Sequence, residues 1–300
     1  MVKLPSPTQE LLHPILVEKQ IQLFVKRDDL LHEEIMGNKW RKLKYNLAEA
    51  QGQGKKTILT FGGAYSNHIY ATAAAGEAFG FKTIGIIRGD ELHEDSNDTL
   101  QFATSKGMEL QFVDRKTYRD YRESPDSLAS EYPESYVLPE GGTNKLAIKG
   151  CTELVSEIES DFDLIALPIG TGGTFSGVLA GVNESQHVLG ISSVQGDFMQ
   201  KEIIQLLDRF QVKNRNYNVN TAFHFGGYGK TTPQLIDFIN WFKAEFSISL
   251  DPIYTGKCFF AVWDMINNDK FEKNLKIVLL HTGGLQGILG FNRKNQIIIQ

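Results

Sequence analysis

Only two cysteines, Cys151 and Cys258, occur in the 300 residues, and neither stands among histidines. That excludes a disulfide framework and a cysteine-based zinc site. Each cysteine is expected to be a small buried apolar residue, and no metal is expected. Positive charge is also scarce. The 31 Lys and Arg residues face 36 Asp and Glu, for a formal net charge of -5, and no basic stripe with interleaved aromatics occurs. Nucleic acid, whose binding footprint is basic, is therefore not the expected partner. No apolar stretch approaches a membrane span in length, so no membrane association is expected. The opening Met1-Val2-Lys3-Leu4-Pro5-Ser6-Pro7 lacks the apolar core of a secretory leader, and a reduced, cytoplasmic setting is the expectation. The first strong strand-like run is not followed by Gly-x-Gly-x-x-Gly and a later acidic residue, which argues against a dinucleotide-dependent oxidoreductase.

What is present is an alternation of short aliphatic runs, glycine-rich turns and helix-like stretches. The runs are Thr57–Phe61, Thr83–Ile87, Leu110–Val113, Leu164–Leu167, Val188–Ile191 and Ile277–Leu280. Near-continuous apolar runs suit parallel strands buried on both faces. Helices are predicted over Asn67–Phe79, rich in alanine, and Thr99–Gly107, with its Lys-Gly stop. The polar stretch Asp114–Pro133 reads as a solvated helix or a surface excursion. Strands alternating with helices make the chain α/β. The expected organisation is a large domain of residues 1–45 and 150–300 and a small domain of residues 46–149. Gly62-Gly63, Gly141-Gly142, Gly170–Gly173, Gly226-Gly227 and Gly283-Gly284 mark turns of the kind that let backbone approach a ligand beyond strand ends.

Chemistry enters through a few of these turns. In "ALPIGTGGTFSGV", Gly170, Thr171, Gly172, Gly173 and Thr174 lie between a strand and a helix. Converging N–H groups, the helix N-terminus and threonine hydroxyls together make a cradle for a single phosphate monoester. Ser66-Asn67-His68 opens the alanine-rich helix, where a capping residue and free N–H groups also suit a carboxylate. Tyr228 in "HFGGYGK" and Tyr254 in "DPIYTGK" sit among glycines or past a proline, and Thr282 in "HTGG" follows the last strong strand. Lys39 stands in "EIMGNKWRKLKY" beside Arg41, Lys42 and Lys44, which are read as surface or supporting cations. A lysine, a phosphate cradle, a partner for a ring hydroxyl and a neutral hydroxyl fit pyridoxal 5'-phosphate, whose aldehyde takes a lysine amine as a Schiff base.

The ordered series "VKRDDL", "GNKWRKLKY", "GGAYSNH", "LPEGGTN", "GTGGT", "GYGK", "DPIYTGK" and "HTGG" covers most of the chain. It resembles the 1-aminocyclopropane-1-carboxylate deaminase/D-cysteine desulfhydrase family of pyridoxal-phosphate enzymes. The resemblance implies a fold type II, tryptophan-synthase-β-like protein of two domains, each an open, mostly parallel sheet flanked by helices, with cofactor in the cleft between them. By position it implies Lys39 as the Schiff-base lysine and Ser66 with the following N–H groups, including that of His68, as the substrate carboxylate site. Asn67 would meet the ring hydroxyl, the "GTGGT" loop the phosphate and Thr282 the pyridine nitrogen, with Tyr228 and Tyr254 as active-site tyrosines. It also implies a homodimer acting on a small amino acid.

A neutral hydroxyl at Thr282, in place of a carboxylate, leaves the pyridine nitrogen largely unprotonated and suits prompt β-elimination. D-cysteine is the expected substrate, giving pyruvate, ammonia and sulfide. Ring opening of 1-aminocyclopropane-1-carboxylate to 2-oxobutanoate, and D-serine or other β-substituted ammonia-lyase activity, are the alternatives. The chain departs from the family pattern at Tyr65, Ile69 and Tyr70, beside the expected substrate contacts.

Overall fold

The computed structural model describes residues 2–296 and 298–299. Its chain forms two compact units. The larger comprises Met1–His32, Met36–Asn38 and Cys151–Gln300, and the smaller Glu33–Ile35 and Lys39–Gly150. The expected first boundary, after Tyr45, falls inside the helix Asn38–Gly52. Leu43, Leu47 and Ala50 of that helix are buried with Ile58, Ala71 and Leu138, so the helix packs with the smaller unit almost from its start.

The larger unit is built on β1 (Thr8–Leu11), β2 (Gln22–Lys26), β7 (Leu164–Ile169), β8 (His187–Ser192), β9 (Tyr217–Asn220) and β10 (Lys276–Leu280). The smaller is built on β3 (Thr57–Gly63), β4 (Lys82–Arg88), β5 (Met108–Val113) and β6 (Ser135–Leu138). The strand orders are β1-β2-β10-β7-β8-β9 and β5-β4-β3-β6. All pairs are parallel except β1 with β2. All six predicted runs are strands. The two central strands of the larger sheet show why they read as unbroken apolar runs. Ile277 and Leu279 of β10 face one core, with the helices Pro233–Phe246 and Thr255–Asn267. Val278 and Leu280 face the other, with the helices Gly173–Gly181 and Phe198–Arg209. Both faces are covered, so no polar alternation survives.

In the smaller unit the predicted helix Asn67–Phe79 runs between those bounds, with Ser66 as its N-cap and Gly80 closing it in the left-handed conformation. Its alanines let it lie close on the sheet. A Cβ on Gly76 would come within 2.4 Å of the Thr83 methyl. The polar stretch after β5 folds into two helices, Arg115–Glu123 and Pro125–Glu131.

Each sheet reverses its order once. In the larger, β7, β8 and β9 step outward and β10 returns to the other side of β7. In the smaller, β3, β4 and β5 step outward and β6 returns beside β3. Ligands of open α/β sheets bind beyond the carboxyl ends of the strands at such switch points. The loops after β7 and β10 carry Gly170–Thr174 and Thr282–Gly284, and those after β3 and β6 carry Gly63–Asn67 and Gly141-Gly142.

Candidate active site

In the larger unit the loop after β7 is shaped by packing from below. Gly172 has φ +76, and a Cβ there would lie 2.5 Å from Leu206 Cδ1. Glycine meets both demands. It also opens the helix Gly173–Gly181 without any side-chain cap, so the first N–H groups of that helix remain for an anion. The Thr174 hydroxyl accepts a hydrogen bond from Asn38 Nδ2 at 2.9 Å, leaving its own proton to donate. This set of neutral donors fits a phosphate monoester.

Asn38 joins this loop to the one after β10. Its backbone N–H donates to the Thr282 carbonyl at 3.3 Å, and Gly37 N–H donates to the Asp28 carbonyl at 3.0 Å. Gly37 has φ +64, and a Cβ on it would sit 1.9 Å from the Thr282 oxygen. The residue that precedes Lys39 is thus tied to both Thr174 and Thr282. The Thr282 loop is braced in turn by buried His281, whose Nε2–H donates to the Ser249 carbonyl at 2.7 Å while Nδ1 accepts from Gly283 N–H at 3.2 Å.

The two tyrosines are neighbours, with ring centroids 6.0 Å apart in an edge-on arrangement. Tyr254 rests on Gly170, where an added Cβ would meet its ring at 3.2 Å. Asp251 sets its backbone. One carboxylate oxygen accepts from Ile253 and Tyr254 N–H at 2.9 and 2.8 Å, and the other from Thr255 N–H and Oγ1 at 2.8 and 2.6 Å. An aspartate before a proline is a turn signal, and Asp251 was legible as such in "DPIYT". Lys257, one helical turn beyond Tyr254, is fully buried. Burial pushes its ammonium down to about 8, with Asp251 opposing.

In the smaller unit Ser66 Oγ accepts from His68 and Ile69 N–H at 3.2 and 3.3 Å. The hydroxyl proton remains for a ligand oxygen, and half-buried Asn67 begins the helix beside it. The His68 side chain is buried in the core, 1% exposed, so only its backbone N–H stands at the head of the helix. Its Nε2 is 2.8 Å from Thr60 Oγ1, which donates to the Leu138 carbonyl at 3.1 Å, and Gly142 packs against the ring. These contacts pin the head of the helix Asn67–Phe79 to β3 and to the loop after β6. Its pKa is held well below the usual value, first by burial and then by Lys39 and Lys42. The unfolded chain therefore binds a proton that the folded chain refuses. Stability is full above the ordinary histidine value, about pH 6.5, and is lost progressively as pH falls below it toward the depressed folded value. Urea midpoints of the parent should drop between pH 7.5 and 5.5 more steeply than those of His68→Gln. Parallel slopes would contradict this assignment.

Lys42 and Arg41, expected at the surface or in support, are both buried. Lys42 Nζ donates to the Gly141 carbonyl at 2.9 Å and to Thr143 Oγ1 at 3.2 Å, holding the loop after β6. Lys39 is half-buried in the first turn of its helix. Of the three departures from the family pattern, Ile69 is a core residue and Tyr70 stacks on Phe102 at 3.6 Å. Tyr65 alone of the three is exposed.

Residues 5–283 match the family model described as "Pyridoxal-phosphate dependent enzyme". A relative from Pyrococcus horikoshii, provisionally named 1-aminocyclopropane-1-carboxylate deaminase, is 31% identical, with 91% of this chain and 87% of that protein covered. A mitochondrial protein from Arabidopsis thaliana, named as a bifunctional D-cysteine desulfhydrase/1-aminocyclopropane-1-carboxylate deaminase, is 30% identical over 89% of this chain and 73% of its own. Among solved structures, a homologue of 1-aminocyclopropane-1-carboxylate deaminase superposes with a TM-score of 0.82 at 30% identity, covering 98% of this chain and 93% of that one.

Proposed function

The chain belongs to the pyridoxal-phosphate-dependent enzyme family, and from that premise we propose that it eliminates sulfide and ammonia from D-cysteine. Lys39 is the covalent attachment point of the cofactor and the base at Cα. Gly170–Thr174 take its phosphate, Asn67 its ring hydroxyl and Thr282 its ring nitrogen. The observation that carries this reading is Asn38, which ties the residue before Lys39 to Thr174 and Thr282 by two hydrogen bonds.

Bound pyridoxal phosphate supplies an electron-withdrawing ring that makes the Cα–H bond of an amino acid acidic. The protein does the rest. The Ser66 hydroxyl, at the positive end of its helix, holds the carboxylate, and Lys39 receives the Cα proton. Tyr228 or Tyr254 gives a proton to the departing sulfur. Water then completes the release of pyruvate and ammonia. The neutral hydroxyl of Thr282 supports β-elimination because it leaves the ring nitrogen without a carboxylate partner.

A second reading is ring opening of 1-aminocyclopropane-1-carboxylate, favoured by the names of the relatives above. The two are separated by product. The holoenzyme should release sulfide and pyruvate from D-cysteine faster than 2-oxobutanoate from the cyclopropane. Sulfide from L-cysteine but not from D-cysteine would overturn the stereochemical assignment, and 2-oxobutanoate alone would establish the second reading.

A further inference from the structure

Lys257 offers a site that neither the catalytic roles nor the phosphate cradle uses. Among the described residues, every hydrogen bond its ammonium makes goes to a main-chain carbonyl: His224 at 2.8 Å, Gly227 at 2.8 Å and Ser193 at 3.3 Å. The Ser193 hydroxyl is itself buried with no hydrogen-bond partner among the described residues, a spare oxygen on the same residue. A buried ammonium normally costs stability unless it is paired. This one is surrounded by carbonyl dipoles, as an alkali cation is when backbone oxygens replace its hydration shell.

The oxygens it gathers belong to a turn that needs gathering. Phe225, Gly226, Gly227 and Gly229 all have positive φ, at 50, 89, 110 and 69°. Two consecutive turns are closed by Gly227 N–H to the His224 carbonyl and Lys230 N–H to the Gly227 carbonyl. The carbonyl that opens each turn is also one that receives Lys257. Two such oxygens converging on one point repel each other unless a cation lies between them. The second turn presents Tyr228, whose side chain is 53% exposed and edge-on to Tyr254.

We propose that the Lys257 ammonium is a built-in monovalent cation whose carbonyl cage holds the turn that presents Tyr228. Lys257 is a positioning residue, and the protein needs no added alkali ion to order this turn. With the side chain cut back, the cage becomes a binding site for potassium or ammonium. The functional half of this inference rests on the reading of Tyr228 as a substrate contact; the cage itself does not.

The test compares holoenzyme and Lys257→Ala at pH 7 and constant ionic strength, in chloride salts of potassium, ammonium or choline. Two quantities are read: hydrogen exchange of the amides of residues 224–230, and kcat and KM with D-cysteine. The parent should be indifferent to the salt. In choline, Lys257→Ala should lose protection in this turn and fall about 10²-fold in kcat/KM, the scale of a reacting group displaced by an ångström. Potassium or ammonium should restore both, saturably. A parent that depends on potassium, a variant that keeps its turn protected in choline, or a loss that neither cation reverses would overturn the proposal. Should Lys257→Ala not fold in choline, refolding across a potassium or ammonium series decides. Recovery supports the cage, and equal failure in all salts refutes it. Cation-dependent protection in the variant, with no D-cysteine turnover by the parent, would sink the substrate assignment while the cage stands.

Discussion

Lys39→Ala is expected to cut D-cysteine turnover by roughly 10³-fold or more, since the change removes both the covalent anchor and the base. The fold should survive. Lys39 is half-buried at the start of the helix Asn38–Gly52, and alanine is the best helix former. The phosphate contacts assigned to Gly170–Thr174 lie elsewhere in the chain, so cofactor uptake should persist without the covalent link. Lys42→Ala is a different experiment. It leaves the Gly141 carbonyl and Thr143 hydroxyl without the ammonium that holds them, and its first effect should be on stability. Circular dichroism, cofactor stoichiometry and single-turnover rates distinguish the two. Turnover by Lys39→Ala within about tenfold of the parent would be incompatible with a general base there.

Gly37→Ala should be nearly as damaging although residue 37 has no side chain to offer. Its φ of +64 costs an alanine about 1–2 kcal/mol. The larger cost is steric, because the new Cβ would fall 1.9 Å from the Thr282 oxygen and backbone on one side must move. Either movement breaks the Asn38 N–H to Thr282 bond and shifts the point from which Lys39 extends. A total loss of about 3 kcal/mol or more in stability, with about 10²-fold in kcat/KM, is the expected result. Gly54 supplies the control. Its φ is +69, but nothing lies within 4 Å of an added Cβ. Gly54→Ala should therefore show only the conformational cost, read as a small shift in the urea midpoint with activity intact. If the two variants behave alike, the clamp between Gly37 and Thr282 has no functional meaning.

The parts of the molecule legible in its sequence are those dictated by local pattern. Interior strands are apolar with little interruption, so β3, β4, β7, β8 and β10 stood out, and the edge strand β5 did so through its Leu110–Val113 end. Ser66 and Gly80 bracket an alanine-rich helix with ordinary start and stop chemistry. The edge and short strands did not stand out. Thr8–Leu11, Ser135–Leu138 and Tyr217–Asn220 are four residues each and all lie at sheet edges, and the interior strand Gln22–Lys26, only five residues with Gln and Lys at its ends, did not stand out either. The "GNKWRK" cations look alike in sequence, yet Arg41 and Lys42 are buried and Lys39 is not. Their fates depend on carbonyls and hydroxyls a hundred residues away, such as Gly141 and Thr143 for Lys42. For the same reason burial of the His68 ring was not legible, because Gly142, which packs against it, lies on another strand's loop. Asp251 and Asn38 act through backbone geometry, which a residue's type announces only as a turn.

The most direct measurement is borohydride reduction of the pyridoxal-phosphate-loaded enzyme followed by peptide mapping. Reduction fixes the cofactor to whichever lysine carries it. A single modified peptide is expected, the one containing Lys39 and Trp40, with Lys26, Lys42 and Lys257 unmodified. Cofactor trapped on another lysine, or no trapped cofactor from an active preparation, would contradict it.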